Sequence, residues 1–446
     1  MWTEDQARAL ITDSGTLKRG MELAAPVKWG NLGRTAAAVW GECAGSGAKP
    51  YLVGIDLSEP AFKCSCPSRV FPCKHGAGLL LLLARQPQIL NAATPPTWLA
   101  EWLEKRQSTQ EKKAAKPTEA PPPTAPLAGA PQEEKGPGVS AQRLERMRRG
   151  ADELLTWLHD LVGAGLAQTE KQPAAFWENQ AARLIDDQLP GLAATLRELA
   201  SLRHYGPDWP ERMLARLGEL YLLVRAFQRF DKLPAPRQQD VLQLLGVNVK
   251  KDEVLRLEPT VVDTWLVMGQ LTFEEERLLV RRTWLRGHET GHYALVLEYA
   301  FGGQAFASPL VPNGRYHGGL AFYPGTASLR AVIGPDWSFE GTAAPGQLLF
   351  SGNPEEVLST YADALAQQPW LREWPVLLAA VVPVLLPGGN VVLLASDSAS
   401  SIPVSADEDL RWQLLAVSGG HPLTIFGEWN GVRLLPLSFH PATVAP

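Results

Sequence analysis

Cysteine is scarce in this chain: four residues in 446. Four thiols do not make a disulfide framework at this length, so a reducing compartment is expected. Long hydrophobic runs are missing too. The longest, Gly78 to Ala84 and Val376 to Pro387, are too short to span a bilayer. The opening residues, MWTEDQARALITDSG, have no basic flank followed by an apolar stretch, which reads as no signal peptide and a cytoplasmic location. There is no G-x-x-x-x-G-K-[ST] loop, and hence no P-loop cradle for nucleotide phosphates. Positive charge is not in excess either. The formal charge is −5, so no whole-chain field draws nucleic acid. What is present is ordinary: 45% hydrophobic and 20% charged residues, in a chain long enough for two or three domains. The 15 tryptophans are scattered, which reads as packing.

Scarcity makes position informative. Cys64, Cys66 and Cys73 lie within ten residues, in FKCSCPSRVFPCKHGAGLLLLL, and His75 follows. Three thiolates and one imidazole complete the tetrahedral shell of a structural Zn²⁺. Such a shell leaves no open position for substrate, so the metal is expected to hold a fold. Cys64-Ser65-Cys66 is placed at a turn after a strand ending near Leu57. Cys73 and His75 are placed at the start of an apolar helix, Gly76 to Arg85, whose N-terminus favours the negative charge of a Cys₃His site. Cys43 stands alone and reads as a small buried residue.

The pattern C-x-C, six residues, then C-x-H resembles the SWIM-type zinc finger in ligand type, order and spacing, over roughly residues 30 to 85. Similar bacterial proteins carry this finger at the N-terminus, ahead of a long tail. The resemblance implies bound zinc and a role in protein or DNA interaction. It also implies, as partners, a MoxR-type AAA+ ATPase or a von Willebrand factor A protein. The helicase or transposase domain found in many relatives is not visible in this sequence.

Along the chain four regions are expected, giving a multidomain α+β protein. Residues 1 to 106 form the finger unit, a small β-β-α module. Strands are read at Val27 to Trp29, Thr35 to Trp40 and Tyr51 to Leu57, and a short helix carries Trp98 and Trp102. Residues 107 to 140, rich in Pro, Ala, Lys and Glu, are read as a disordered linker. Residues 141 to 260 show helical spacing, as in Met213, Leu217, Leu220, Val224 and Phe227, and read as a helical bundle. Residues 261 to 446 shift to strand patterns and read as a mostly antiparallel β domain. It contains one helix, Pro354 to Gln367, and a hairpin turn at Asn430-Gly431.

A second motif competes for metal. His288-Glu289-Thr290-Gly291-His292 matches H-E-x-x-H, the zinc-protease signature, which makes a zinc metallohydrolase the alternative function. The motif works only on a helix, and glycines at 287 and 291 between strand-like segments read as a hairpin turn. The sequence is therefore read as non-enzymatic, with no catalytic residue. Lys63, Arg69, Lys74 and Arg85 surround the finger and are candidates for contact with nucleic acid or a partner. Residues 1 to 106 hold 12 basic against 9 acidic residues, a small excess that favours a protein partner.

Overall fold

The computed structural model describes residues 2–44, 49–68, 70–114, 139–202, 208–275, 278–301, 304–343, 352–395 and 400–442. Its architecture is multidomain α+β: a small N-terminal strand region, a helical middle and a C-terminal region of two sheets.

The N-terminal unit opens with helices α1 (Glu4–Ala9) and α2 (Ser14–Leu23). Strands β1 (Trp29–Arg34), β2 (Ala38–Cys43), β3 (Tyr51–Asp56) and β4 (Ala61–Cys64) follow as an antiparallel meander. Helix α3 (Lys74–Arg85) lies against β2, β3 and β4 and is crossed by α1 and α2. The run Leu79 to Leu82 is wholly buried, which explains a helix that is apolar nearly all round. Each such leucine contributes roughly 1.5–3 kcal/mol when taken from water. The short β5 (Asn91–Ala92) pairs in parallel with β1. Helix α4 (Thr97–Ala114) packs Leu99 on Ala38 and Trp40, with Trp98 and Trp102 half-buried beside them. It runs past residue 106, where the linker was expected to begin. Residues 115–138 of that expected linker lie outside the described residues.

The middle is built from α5 (Ala141–Gly163), α6 (Ala174–Asp186), α7 (Pro190–Leu202) and α8 (Trp209–Gln228). Contacts run α5 to α6, α6 to α7, α7 to α8 and α8 back to α5, a closed four-helix ring. Helix α9 (Ala235–Leu245) seals it against α7 and α8. The residues of α8 that helical spacing marks, Met213, Leu217, Leu220, Val224 and Phe227, are all buried, and Leu223 joins them. In α6, Trp177 and Leu184 turn inward, but Ile185 is exposed. Helix α10 (Lys251–Leu257) leads into the β region.

There, β6 (Thr260–Glu275), β7 (Leu278–Gly287) and β8 (Tyr293–Phe301) form a meander. Strand β9 (Gly314–Phe322) returns to pair with β6, and β10 (Arg330–Ile333) pairs with β9 and, in parallel, with β8. The ring β6-β7-β8-β10-β9 closes on itself, with the strand order and pairing senses of an OB-type barrel. Its interior holds Trp265, Val267, Leu285, Val296 and Leu320. Strand β11 (Ser338–Thr342) extends β9. After α11 (Pro354–Gln367) comes the last sheet. It comprises β12 (Trp374–Leu385), β13 (Val391–Ala395) and β14 (Ser401–Pro403). Helix α12 (Glu408–Ser418) then precedes β15 (Leu423–Trp429) and β16 (Leu434–Pro441). The hairpin turn at Asn430-Gly431 joins β15 to β16, with the Asn430 side chain accepting from the Val432 and Arg433 N–H groups.

These regions touch. Val311, from the loop before β9, belongs to the core of the N-terminal unit, and the Gln6 amide donates to Pro312 O at 2.8 Å. The Asp240 carboxylate of α9 accepts from the Thr326 backbone N–H in the β9–β10 loop. Outside the barrel, Trp284 and Leu295 pack on Leu377 and Phe426 of the last sheet. Among the described residues no helix is long and apolar enough to cross a membrane.

Candidate metal centre

Strand β4 is an edge strand, and Cys64 is its last residue, opposite Val53. The turn after it is pinned to β3 from both sides of one residue. Ser65 N–H donates to Leu52 O at 3.0 Å, and Leu52 N–H donates to Ser65 Oγ at 2.9 Å. This fixes the C-x-C pair on a tight turn. From the other direction the chain enters α3 with Cys73 as its N-cap residue and His75 in the first turn. The two ends of the finger loop therefore meet at the junction of β4 and α3.

The ligand atoms of Cys64, Cys66, Cys73 and His75 all lie within 4.8 Å of one another. His75 Nδ1 is 3.8 Å from Cys64 Sγ and 3.9 Å from Cys73 Sγ. A tetrahedral site with metal–sulfur bonds of about 2.3 Å has edges of about 3.8 Å, so the cluster has the dimensions of a metal shell. Cys73 and His75 are buried, and the Tyr51 ring lies 4.7 Å from the imidazole. Tyr51 gives no sequence signal as a partner of the site; only the β3 register reveals it.

The thiols share their protons unevenly. The hydrogen bond from Cys64 holds the Cys73 thiol down to about 3 against the cost of burial, with help from His75 and the Gly76 N–H. The same bond, together with burial, pushes Cys64 far above the usual thiol range. Burial also raises Cys66. Soft sulfur donors plus one imidazole, gathered at a helix N-terminus, suit a divalent cation such as Zn²⁺. Cys43 is fully buried in the apolar core, and its thiol is pushed up by that burial. It is a packing residue, as its isolation implies.

The basic candidates are deployed differently. Arg85 is committed to Glu4 through two hydrogen bonds of 2.9 and 2.8 Å, clamping α3 to α1. Lys63 donates to Trp98 O at 3.0 Å and lies over the Trp98 and Trp102 rings. Lys74 is exposed at the start of α3, and Arg69 lies outside the described residues.

The H-E-x-x-H segment forms the turn between β7 and β8. Gly291 has φ of 69°, and Asp263 on β6 accepts from the Glu289 and Thr290 N–H groups at 3.1 and 2.9 Å. No helix carries the motif, and the His288 and Glu289 side chains are exposed. The i, i+4 face that two histidines need for a shared metal does not exist here.

Residues 142–245, which build α5 to α9, match the family model of the SWIM-associated four-helix bundle domain. The match covers the helical middle, about a quarter of the chain's length. No curated protein and no solved structure matches the chain.

Proposed function

We propose that this chain is a zinc-binding interaction protein, in which a structural zinc holds an N-terminal SWIM-type finger as a recognition module. The observation that carries the reading is the closed Cys64, Cys66, Cys73, His75 set at the β4–α3 junction. Four protein ligands fill a tetrahedral shell, so the metal supplies folding free energy and has no place for substrate. The SWIM-associated bundle at 142–245 supports the same family context independently of the finger.

The partner is read as protein. Phosphate binding needs one uncommitted Lys or Arg for each phosphate. Near the finger, Arg85 is bound to Glu4, Lys63 to Trp98 O, and Arg106 to Asp56 and Glu59. A MoxR-type AAA+ ATPase or a von Willebrand factor A protein, implied by the finger's resemblance, is the partner class to test first. Tagged full-length chain and its Cys66→Ser variant, incubated with purified candidates of both classes, provide the test. Binding by the wild type and its loss in Cys66→Ser is the expected result. Sub-micromolar binding of single- or double-stranded DNA at physiological salt, with a steep loss as salt rises, would replace the protein reading with a nucleic-acid one.

A further inference from the structure

A cavity of about 360 Å³ opens beside the metal-binding loop, between the finger and the barrel. Four aromatic residues from four segments line it: Phe62 of β4, Phe71 of the loop leading to Cys73, Trp102 of α4, and Phe306 of the β8–β9 loop. Guanidinium groups lie over two of these rings. Arg106 is 5.3 Å from the Trp102 centroid, and Arg281 is 4.3 Å from that of Phe306. A hollow of a few hundred Å³ in which aromatic rings alternate with fixed polar groups such as Glu59, Arg106 and Arg281 has the size and mixed lining of a ligand pocket. Among the lining residues, Phe71 is 50% exposed, a large ring left open to solvent.

Both cations of the wall are paired. Arg106 pairs with Asp56 and Glu59, and Arg281, buried, pairs with Glu298 at 2.6 Å. A phosphate or carboxylate would gain no uncompensated cation here, and would lose its hydration. An uncharged ring loses little hydration and gains edge-to-face and stacked contacts with the four aromatics. The outer face of β7 and β8, where OB-type barrels take ligands, is closed where Trp284 and Leu295 pack on the last sheet.

We infer that this cavity takes an uncharged aromatic side chain, phenylalanine or tyrosine, presented by a partner protein. An aromatic anchor in a desolvated pocket is the usual form of an interface hot spot. The inference rests on the zinc proposal, because Phe71 and Pro72 are placed by the ligand Cys73 that follows them.

The test uses the full chain with its zinc content measured separately, and N-acetyl-tyrosinamide as a neutral probe in saturation-transfer NMR. Saturation of the probe's ring protons is expected. Affinity should fall by about tenfold or more in Ala307→Trp, which puts a large ring on the lining, and in Phe71→Ser, which removes one. Both variants should keep their zinc and their near-ultraviolet circular dichroism. A zinc-replete chain that leaves the probe unsaturated, or saturation unchanged in both variants, overturns the pocket. Displacement of the probe by oligothymidylate, and not by a tyrosine-containing peptide, overturns the protein assignment. A chain that binds no zinc yet saturates the probe contradicts the zinc proposal while supporting the pocket, so the two failures are told apart.

Discussion

Arg281 and Glu298 meet inside the barrel, on neighbouring strands, and both are buried. The guanidinium also donates to the carbonyls of Ser308 and Leu310, and the second carboxylate oxygen accepts from Ser308 N–H at 2.8 Å. Removing one partner would strand a buried charge, so Glu298→Ala should cost about 3–5 kcal/mol in denaturant unfolding. A loss under about 1 kcal/mol would mean that water reaches the pair. A gentler case sits at the finger. Ser65→Ala removes the acceptor for Leu52 N–H and should cost about 1 kcal/mol while leaving the thiols in place. Thermal denaturation of the zinc-loaded chain reads it. The cysteines were legible at this scale because they are few and their spacing is chemical. Asp263, which organises the 288–292 turn, was not, since a lone acid in a strand carries no mark of a contact 26 residues away.

Helices α2 and α3 cross at small residues. A Cβ built on Gly20 would lie 2.8 Å from Ala77 Cβ, so Gly20→Leu should force the helices apart and cost about 1–3 kcal/mol or more. Wild-type stability in that variant would show that the crossing is loose. The α1–α3 clamp is electrostatic. The hydrogen bond from Arg85, followed by that from Arg8, lowers the Glu4 carboxyl to about 2. A depressed acid stabilises the fold above its unfolded value of about 4.3 and loses that contribution as pH falls toward 2. Glu4→Gln should therefore lower Tm at pH 7 by the equivalent of under about 1 kcal/mol, with the difference vanishing near pH 2. A difference that persists there would point to packing. Elements with strong periodicity were readable, as α8 and Pro354–Gln367 show. The first strand was misplaced: it was expected at Val27 to Trp29, yet Val27 is 86% exposed and the strand runs Trp29–Arg34. Gly30 and Gly33 look like punctuation, but Gly33 lies under the Trp40 ring, where no side chain fits. Barrel closure was hidden for another reason, since the parallel β8–β10 contact depends on long-range register.

At the scale of the whole molecule, the N-terminal unit leans on the barrel through Val311, Gln6 and the tilted ring pair Trp2 and Phe339, whose centroids are 6.4 Å apart. The Pro-rich segment offers Lys135, followed by Gly136, to trypsin. Cleavage there should yield two fragments that still elute together from a sizing column; separate elution would show that this interface does not hold by itself. The central claim is that one zinc, held by Cys64, Cys66, Cys73 and His75, folds the finger. Elemental analysis of purified full-length chain beside its Cys66→Ser variant tests this most directly. The account predicts one zinc per chain, falling to none in Cys66→Ser with loss of the N-terminal unit's protection from hydrogen exchange. Full zinc in Cys66→Ser, or a second equivalent lost in His288→Ala, would contradict it.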